Sequence, residues 1–303
     1  MTTVGLVTAA ATGGVAQAAP KPLPYYISMG DSYSVGYQDP AIGNTAGFTA
    51  YVAKKEKMQL ENFGCGGATT TSMFTQDGCP AAASAATDGV AYPDTDQVAA
   101  VVAFIDAHPG KVGLVTVSIG GNDVTACADA SNPITCVIAA EGTIETNVTT
   151  LVDDVDGALV ANDDTSAHLV GTTYPDVILG NFVYPVGATD PVLAAQSVFA
   201  FDDLINPTLK TAYTSVSQGA FVDVTDAPYK LATAGDETGS FNLTTGAYTG
   251  PTTKLTGFGK HVPVAVAEVC TLTYYCSVAG DIHPDTAGYS FIAKLIVNEL
   301  RSL

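Results

Sequence analysis

Apolar residues fall along the chain in short runs that alternate with helical stripes. Tyr25 to Met29 is apolar and β-prone, and Gly30 breaks it. Phe48 to Lys57 predicts a helix, and Gln59 to Phe63 a strand that enters the Gly-rich FGCGGATT. Between Asp96 and His108, Val98, Val101, Val102 and Ile105 form one helical stripe. VGLVTVSI, from Val112 to Ile119, is a buried-strand run ending at Gly120-Gly121. A long helix is expected over Pro133 to Val160, strands over His168 to Thr173 and Ala220 to Val224, and a helix around Ala194 to Ser217 between them. Tyr289, Ile292, Ala293, Ile296, Val297 and Leu300 recur at i, i+3, i+4, i+7, i+8 and i+11, an amphipathic helix. Such alternation predicts an α/β fold, a central parallel sheet with helices on both faces. No repeat or Pro/Ser linker divides it, so residues 20–303 read as one domain. Two aperiodic Gly/Thr/Asp-rich stretches, 76–95 and 228–262, are expected as loops near the carboxyl ends of strands, where ligands bind.

Composition narrows the function. Thirty acidic side chains against 11 basic give a formal net charge of −19, which repels phosphate backbones and excludes nucleic-acid binding. A hydrophobic fraction of 47% with 14% charged residues describes a well-packed globular chain. Residues 1–19 are small and apolar and finish in Ala16-Gln17-Ala18, an A-x-A signature, so they read as a secretory signal lacking a basic start. Elsewhere no uninterrupted apolar run is long enough for a bilayer, so no stable membrane insertion is expected. Six cysteines in a secreted chain read as disulfides. Fifteen pairings are open, and sequence neighbours suggest Cys65–Cys79, Cys127–Cys136 and Cys270–Cys276. A zinc site is the rival, but there is no C-x2-C pair and there are only four His.

The chemistry sits where strands should end. The first leads to Gly30-Asp31-Ser32, the second to Gly66-Gly67, the third to Gly121-Asn122-Asp123. Adjacent parallel strands bring such turns to one rim. A hydroxyl, a Gly backbone N–H and an Asn amide then converge, which is what a tetrahedral oxyanion requires. Asp31 reads as a turn carboxylate and Asp123 as the residue fixing the loop that presents Asn122; neither is given a chemical step. Four His compete for the base. His108 ends a helix before Pro-Gly, His168 opens a strand and His261 lies in a loop. His283, in AGDIHPDTAGY just before the last helix, is the candidate, with Pro284 and Asp285 as helix-start signals.

Together GDSYSVG at 30–36, NFGCGGATT at 62–70, GGND at 120–123 and DIHPDTAG at 281–288 resemble the four sequence blocks of the SGNH, or GDSL, hydrolases, in order and across nearly the whole chain. With its three cysteine pairs the chain looks most similar to secreted actinobacterial lipases and esterases of that family. The resemblance implies a flavodoxin-like three-layer α/β/α sandwich, with ester hydrolysis needing no metal or cofactor. It makes Ser32 the nucleophile and His283 the general base, with an oxyanion hole of the Ser32 N–H, the Gly67 N–H and the Asn122 side chain. It departs from the usual D-x-x-H block, because Gly280 stands where the family has its carboxylate and Asp281 lies two residues before His283. Either the Asp281 side chain or a main-chain carbonyl, of Gly280 or Asp281, orients the imidazole; because some relatives lack the acid, the carbonyl is preferred. The expected protein is a secreted, monomeric lipase or esterase acting on small-molecule or lipid esters, phospholipid acyl esters included. A polysaccharide O-acetyl esterase, an acyltransferase and a non-catalytic secreted binding module are the alternatives.

Overall fold

In chain order the secondary structure starts with strand β1 (Tyr25–Gly30), helices α1 (Ser32–Val35) and α2 (Gly47–Glu56), strand β2 (Gln59–Asn62), and helices α3 (Ser72–Thr75) and α4 (Gln97–Ala107). Strand β3 (Val112–Ser118), helices α5 (Gly121–Thr125) and α6 (Pro133–Ala161), strand β4 (His168–Thr172), helices α7 (Pro191–Phe199) and α8 (Asn206–Tyr213), and strand β5 (Gly219–Val222) follow. Then come the short strands β6 (Ser240–Phe241), β7 (Tyr248–Thr249), β8 (Thr252–Lys254) and β9 (His261–Pro263), with helices α9 (Val264–Leu272) and α10 (Thr286–Leu300). This structure is a computed structural model, and it describes residues 22–38, 47–80, 85–225, 239–277 and 280–303. The expected signal segment 1–19 lies outside the described residues.

Five strands form one parallel sheet in the order β2-β1-β3-β4-β5, the flavodoxin-like arrangement. Side chains alternate across it. Ile27, Met29, Val115, Val117 and Leu169 face one core with Val101 and Ile105 of α4, Ile144, Val148 and Val155 of α6, and Leu209 of α8. Tyr26, Leu114, Val170 and Ala220 face the other, against Phe48 and Val52 of α2 and Tyr289, Ile292 and Ile296 of α10. Burying each such large side chain is worth about 1.5–3 kcal/mol, so α10 is docked by its stripe rather than by helix propensity. Three layers result, as the alternation predicts. A third cluster joins Val177, Leu179 and Val183 to Val262, Val266 and Val269, packing α9 beside the sandwich.

Three elements differ from the sequence reading. The helix expected around Ala194 to Ser217 begins earlier, at Pro191, where Asp190 accepts the Val192 and Leu193 N–H groups. It also winds wide as a π-helix over Ala200–Ile205 before resuming. Pro207 has no N–H for the carbonyl of Asp203, so the regular ladder is interrupted there. The stretch 228–262 is not simple loop: it carries the two antiparallel pairs β6–β7 and β8–β9, while its residues 228–238 lie outside the described residues. Helix α9, whose Val-Ala-Val alternation hides a helical face, escaped the pattern.

Candidate active site

The first strand delivers a hydroxyl because Gly30 lets it. Its φ is +126°, and a Cβ there would lie 2.1 Å from the Ser118 carbonyl oxygen of β3. The Gln97 amide clasps this glycine on both sides, accepting its N–H at 2.6 Å and donating to its carbonyl at 3.2 Å. Asp31 then caps α1 by accepting the Tyr33 N–H at 3.0 Å, so Ser32 opens a one-turn helix that stops at Gly36 in the left-handed region. The Ser32 N–H, at the first helical position, donates to no described residue.

His283 arrives from 251 residues away on a segment tied down at several points. Its carbonyl accepts the Tyr274 N–H at 3.0 Å, and the Asp285 N–H reaches the Leu272 carbonyl at 3.0 Å. Asp285 caps α10 through the Gly288 N–H. The Tyr33 hydroxyl, one residue past Ser32, donates to the Ile282 carbonyl at 2.7 Å, and the Tyr289 hydroxyl to the Tyr37 carbonyl at 2.7 Å. Held this way, His283 Nε2 stands 2.9 Å from Ser32 Oγ and Nδ1 stands 2.6 Å from Asp281 Oδ1. The position preferred for a main-chain carbonyl is thus occupied by the side chain of Asp281. The reason is local: Oδ1 also accepts the His283 N–H at 3.0 Å, an Asx-type turn that folds the carboxylate back under the ring. Burial opposes ionisation of Asp281, but hydrogen bonds from the His283 ring and main chain outweigh it and hold the carboxyl below its usual range.

Two more turns reach the same rim. Gly67 follows β2 with φ +82° and open space around its Cα, and no described residue accepts from its N–H. Asn122 stands on α5, with its amide nitrogen donating to the Ala68 carbonyl at 2.8 Å and to Asp31 Oδ2 at 3.3 Å. Both acceptors lie on the nitrogen, which fixes which end of the amide is which. Asp123 accepts the Thr70 N–H at 2.9 Å and hydroxyl at 2.6 Å, tying the Gly67 loop to the Asn122 turn. Asp31 is fully buried, which pushes its carboxyl up to about 7; donors from Tyr174, at 2.5 Å, and the Tyr33 N–H oppose the rise, and the nearby Asp123 charge adds to it.

The serine opens on a cleft of about 780 Å³, counting its solvent-open mouth. Its apolar lining comes from two parts of the chain, Val124, Pro133, Ile134 and Val137 from one and Val177, Ile178, Leu193 and Phe201 from the other. Asp31, Ser32, Gly121 and Asn122 form its polar end. Of the other histidines, His108 turns its Nδ1 to the Phe104 carbonyl at 2.8 Å, and His168 and His261 sit in β4 and β9; the ring that meets Ser32 Oγ is that of His283.

The sequence model of the GDSL-like lipase/acylhydrolase family matches residues 26–296. The chain belongs to this family. It is a carboxylic ester hydrolase of the GDSL-like lipases and acylhydrolases. Among solved structures, the fold is similar to that of a lipase from a goat rumen metagenome, 14% identical with a TM-score of 0.52, covering 91% of this chain and 97% of that one. Phospholipase A1 from Streptomyces albidoflavus is also matched, at 19% identity and a TM-score of 0.48, covering 91% of this chain and 99% of that one. An extracellular lipase from Streptomyces rimosus is 21% identical with a TM-score of 0.42, covering 66% of this chain and 80% of that one. A search of curated proteins found no match.

This GDSL-like hydrolase carries the three disulfides that sequence neighbourhood suggests, Cys65–Cys79, Cys127–Cys136 and Cys270–Cys276. Each flanks a site segment: the Gly67 loop, the residues after Asn122, and the approach to His283. Among the described residues no group of three or more His, Cys, Asp or Glu could hold a metal ion. No helix among them is long and apolar enough to cross a membrane. Sequence reasoning missed Gln97, Tyr33, Thr70 and Tyr174, which position the site through hydrogen bonds between distant segments. Tyr33 and Thr70 stand inside the GDSYSVG and NFGCGGATT blocks, but their partners, Ile282 and Asp123, are set by the fold and not by any local spacing.

Proposed function

We propose that this hydrolase cleaves acyl esters of lipid-like chain length through a covalent acyl-enzyme on Ser32. His283 Nε2 removes the Ser32 proton as Oγ attacks the ester carbonyl. Asp281 accepts from Nδ1–H, fixing the tautomer that leaves Nε2 as the base, and its charge stabilises the imidazolium that forms. The carbonyl oxygen, now an oxyanion, takes the Ser32 and Gly67 N–H groups and one Asn122 amide N–H. The amide proton it takes over is the one now spent on the longer contact, to Asp31 at 3.3 Å; the 2.8 Å bond to Ala68 keeps the amide oriented. His283 then protonates the leaving alkoxide. A water molecule, deprotonated by the same imidazole, attacks the acyl-enzyme carbonyl; the C–Oγ bond breaks, the carboxylic acid leaves and His283 returns the proton to Ser32 Oγ. Neither a metal nor a cofactor enters any step.

One observation carries this reading: an unbroken hydroxyl–imidazole–carboxylate chain, 2.9 and 2.6 Å long in its two links, opens onto an apolar cleft. A non-catalytic binding module has no use for such a chain. An acetyl group would leave the aliphatic walls uncovered, whereas an acyl chain removes them from water. Phospholipid acyl esters fit the same cleft chemistry. Residues 20–303 act as one domain, and the disulfides support secretion into an oxidising medium. The test is a p-nitrophenyl ester panel of rising chain length on wild type and Ser32→Ala. Turnover that grows from acetate to octanoate and vanishes in Ser32→Ala is the expected result. Maximal turnover at acetate with none beyond butyrate would overturn the lipid-ester reading and leave a short-chain esterase.

A further inference from the structure

The cleft wall next to Asn122 has an unusual construction. Helix α5 runs directly into a 3-10 turn, Ala126–Asp129, and the chain then reverses through residues 130–132 into α6. Residues on both sides of this reversal line the cleft: Val124, Cys127 and Ala128 before it, and Pro133, Ile134 and Val137 after it. The hydrogen bonds of the reversal stay on their own sides. Ala130 N–H reaches the Cys127 carbonyl at 3.1 Å, while the Cys136 N–H bonds the Asn132 carbonyl at 3.2 Å and the Thr135 N–H the Asn132 side chain at 3.1 Å. Among the described residues no hydrogen bond crosses between the two sides. What crosses is apolar packing, with Val124 and Cys127 in one buried cluster with Val137 and Ile144, and one covalent tie, the Cys127–Cys136 disulfide, with its Cα atoms 5.5 Å apart. Cys127 itself is buried and forms part of the lining.

We infer that the Cys127–Cys136 disulfide is the specificity-determining element of the acyl site: it locks the Val124–Ala128 and Pro133–Val137 parts of one cleft wall together, and acceptance of long acyl chains depends on it. The inference rests on the acyl-ester reading and deepens it. The hydroxyl, imidazole and carboxylate are held from other directions, by Gln97, Tyr33, Tyr274 and the α10 cap. A short acyl group needs only that machinery and the oxyanion donors, which serve short and long chains alike. A longer one gains from each methylene it lays on the wall, roughly fourfold in kcat/KM per methylene fully removed from water. Losing the wall over two or three methylenes lowers the preference for a long chain on the order of 10- to 60-fold.

The test compares wild type with a Cys127→Ala/Cys136→Ala variant on p-nitrophenyl acetate and p-nitrophenyl octanoate. The quantity read is the ratio of the two kcat/KM values, which a general loss of folded protein does not move. The expected result is an octanoate-to-acetate ratio lowered at least tenfold. A ratio within twofold of wild type would overturn the inference while leaving ester hydrolysis intact. Wild-type protein inactive on both esters would instead take down the acyl-ester reading, and this inference with it. Should the alanine pair not fold, Cys127→Val/Cys136→Ala refills the space of the bridge with apolar atoms. Its octanoate-to-acetate ratio is then held to the same tenfold and twofold limits.

Discussion

Replacing Asp281 by Asn isolates a charge. Asparagine keeps the shape of the side chain and an acceptor oxygen for His283, so only the negative charge facing the ring is lost. That charge matters most when the imidazole becomes cationic, as Ser32 attacks. With charge centres about 4 Å apart and an effective dielectric of 20, the attraction is about 4 kcal/mol; at a dielectric of 40 it is about 2 kcal/mol. The side chains of His283 and Asp281 are 15% and 10% exposed, so the partly shielded range is the right one. A difference of 2–4 kcal/mol in the transition state lowers kcat by about 30- to 1,000-fold. KM should stay within a few-fold, because Asp281 meets the His283 ring and does not line the cleft that receives the ester. The assay is steady-state hydrolysis of p-nitrophenyl butyrate near pH 8, with circular dichroism to verify folding. A folded Asp281→Asn enzyme that keeps more than a tenth of wild-type kcat would refute the reasoning and return the Nδ1 hydrogen to a main-chain acceptor.

Three further outcomes follow from the geometry. Asn122→Ala removes one donor to the oxyanion and should lower kcat by about 10²- to 10³-fold with little change in KM; an unchanged kcat would take Asn122 out of the oxyanion hole. Stability should rise on mild acidification. The Asp31 and Asp176 carboxyls have an ordinary value of 3.8 and are pushed up to about 7 by burial; in Asp176 the Ser197 hydroxyl and the Leu179 and Ile178 backbone N–H groups oppose the rise. Between those values the folded chain holds more protons than the unfolded one, so this contribution is complete below about pH 4 and disappears as pH rises through 7. Asp281, held low, has the opposite sign and is lost only in stronger acid. Thermal melts should therefore show a higher Tm at pH 5 than at pH 8, with a smaller gain in Asp176→Asn; a Tm that falls between pH 8 and 5 contradicts the assignment. Gly30→Ala should lower Tm sharply, since it combines a left-handed φ, worth about 1–3 kcal/mol, with a Cβ 2.1 Å from the Ser118 carbonyl. A melt coincident with wild type would mean that the β1–β3 approach is not as close as described.

What could be read from the sequence was what is local. Periodicity located the five sheet strands and α10 because their burial repeats every two or every three to four residues. The Gly signals at Gly30, Gly67 and Gly121 marked strand ends because each break in pattern is itself local. Helix α9 was lost because Val264-Ala265-Val266 alternates like a strand, and the π-helical step because its cause, Pro207, lies beyond it. At the site, residue types and order pointed to Ser32, Gly67, Asn122 and His283, but which atom meets His283 Nδ1 depends on a two-residue Asx turn. Spacing alone left side chain and carbonyl open; the backbone bond from the His283 N–H to Asp281 is what separates them.

The distance along the chain between the hydroxyl at 32 and the imidazole at 283 has a consequence for any shortened form of the protein. A fragment ending before residue 282 would keep Ser32 yet lack the ring that stands 2.9 Å from its Oγ. It would also lack the Ile282 carbonyl that receives the Tyr33 hydroxyl. Such a fragment should be inert towards p-nitrophenyl esters, so hydrolysis would report a chain present and folded through residue 283.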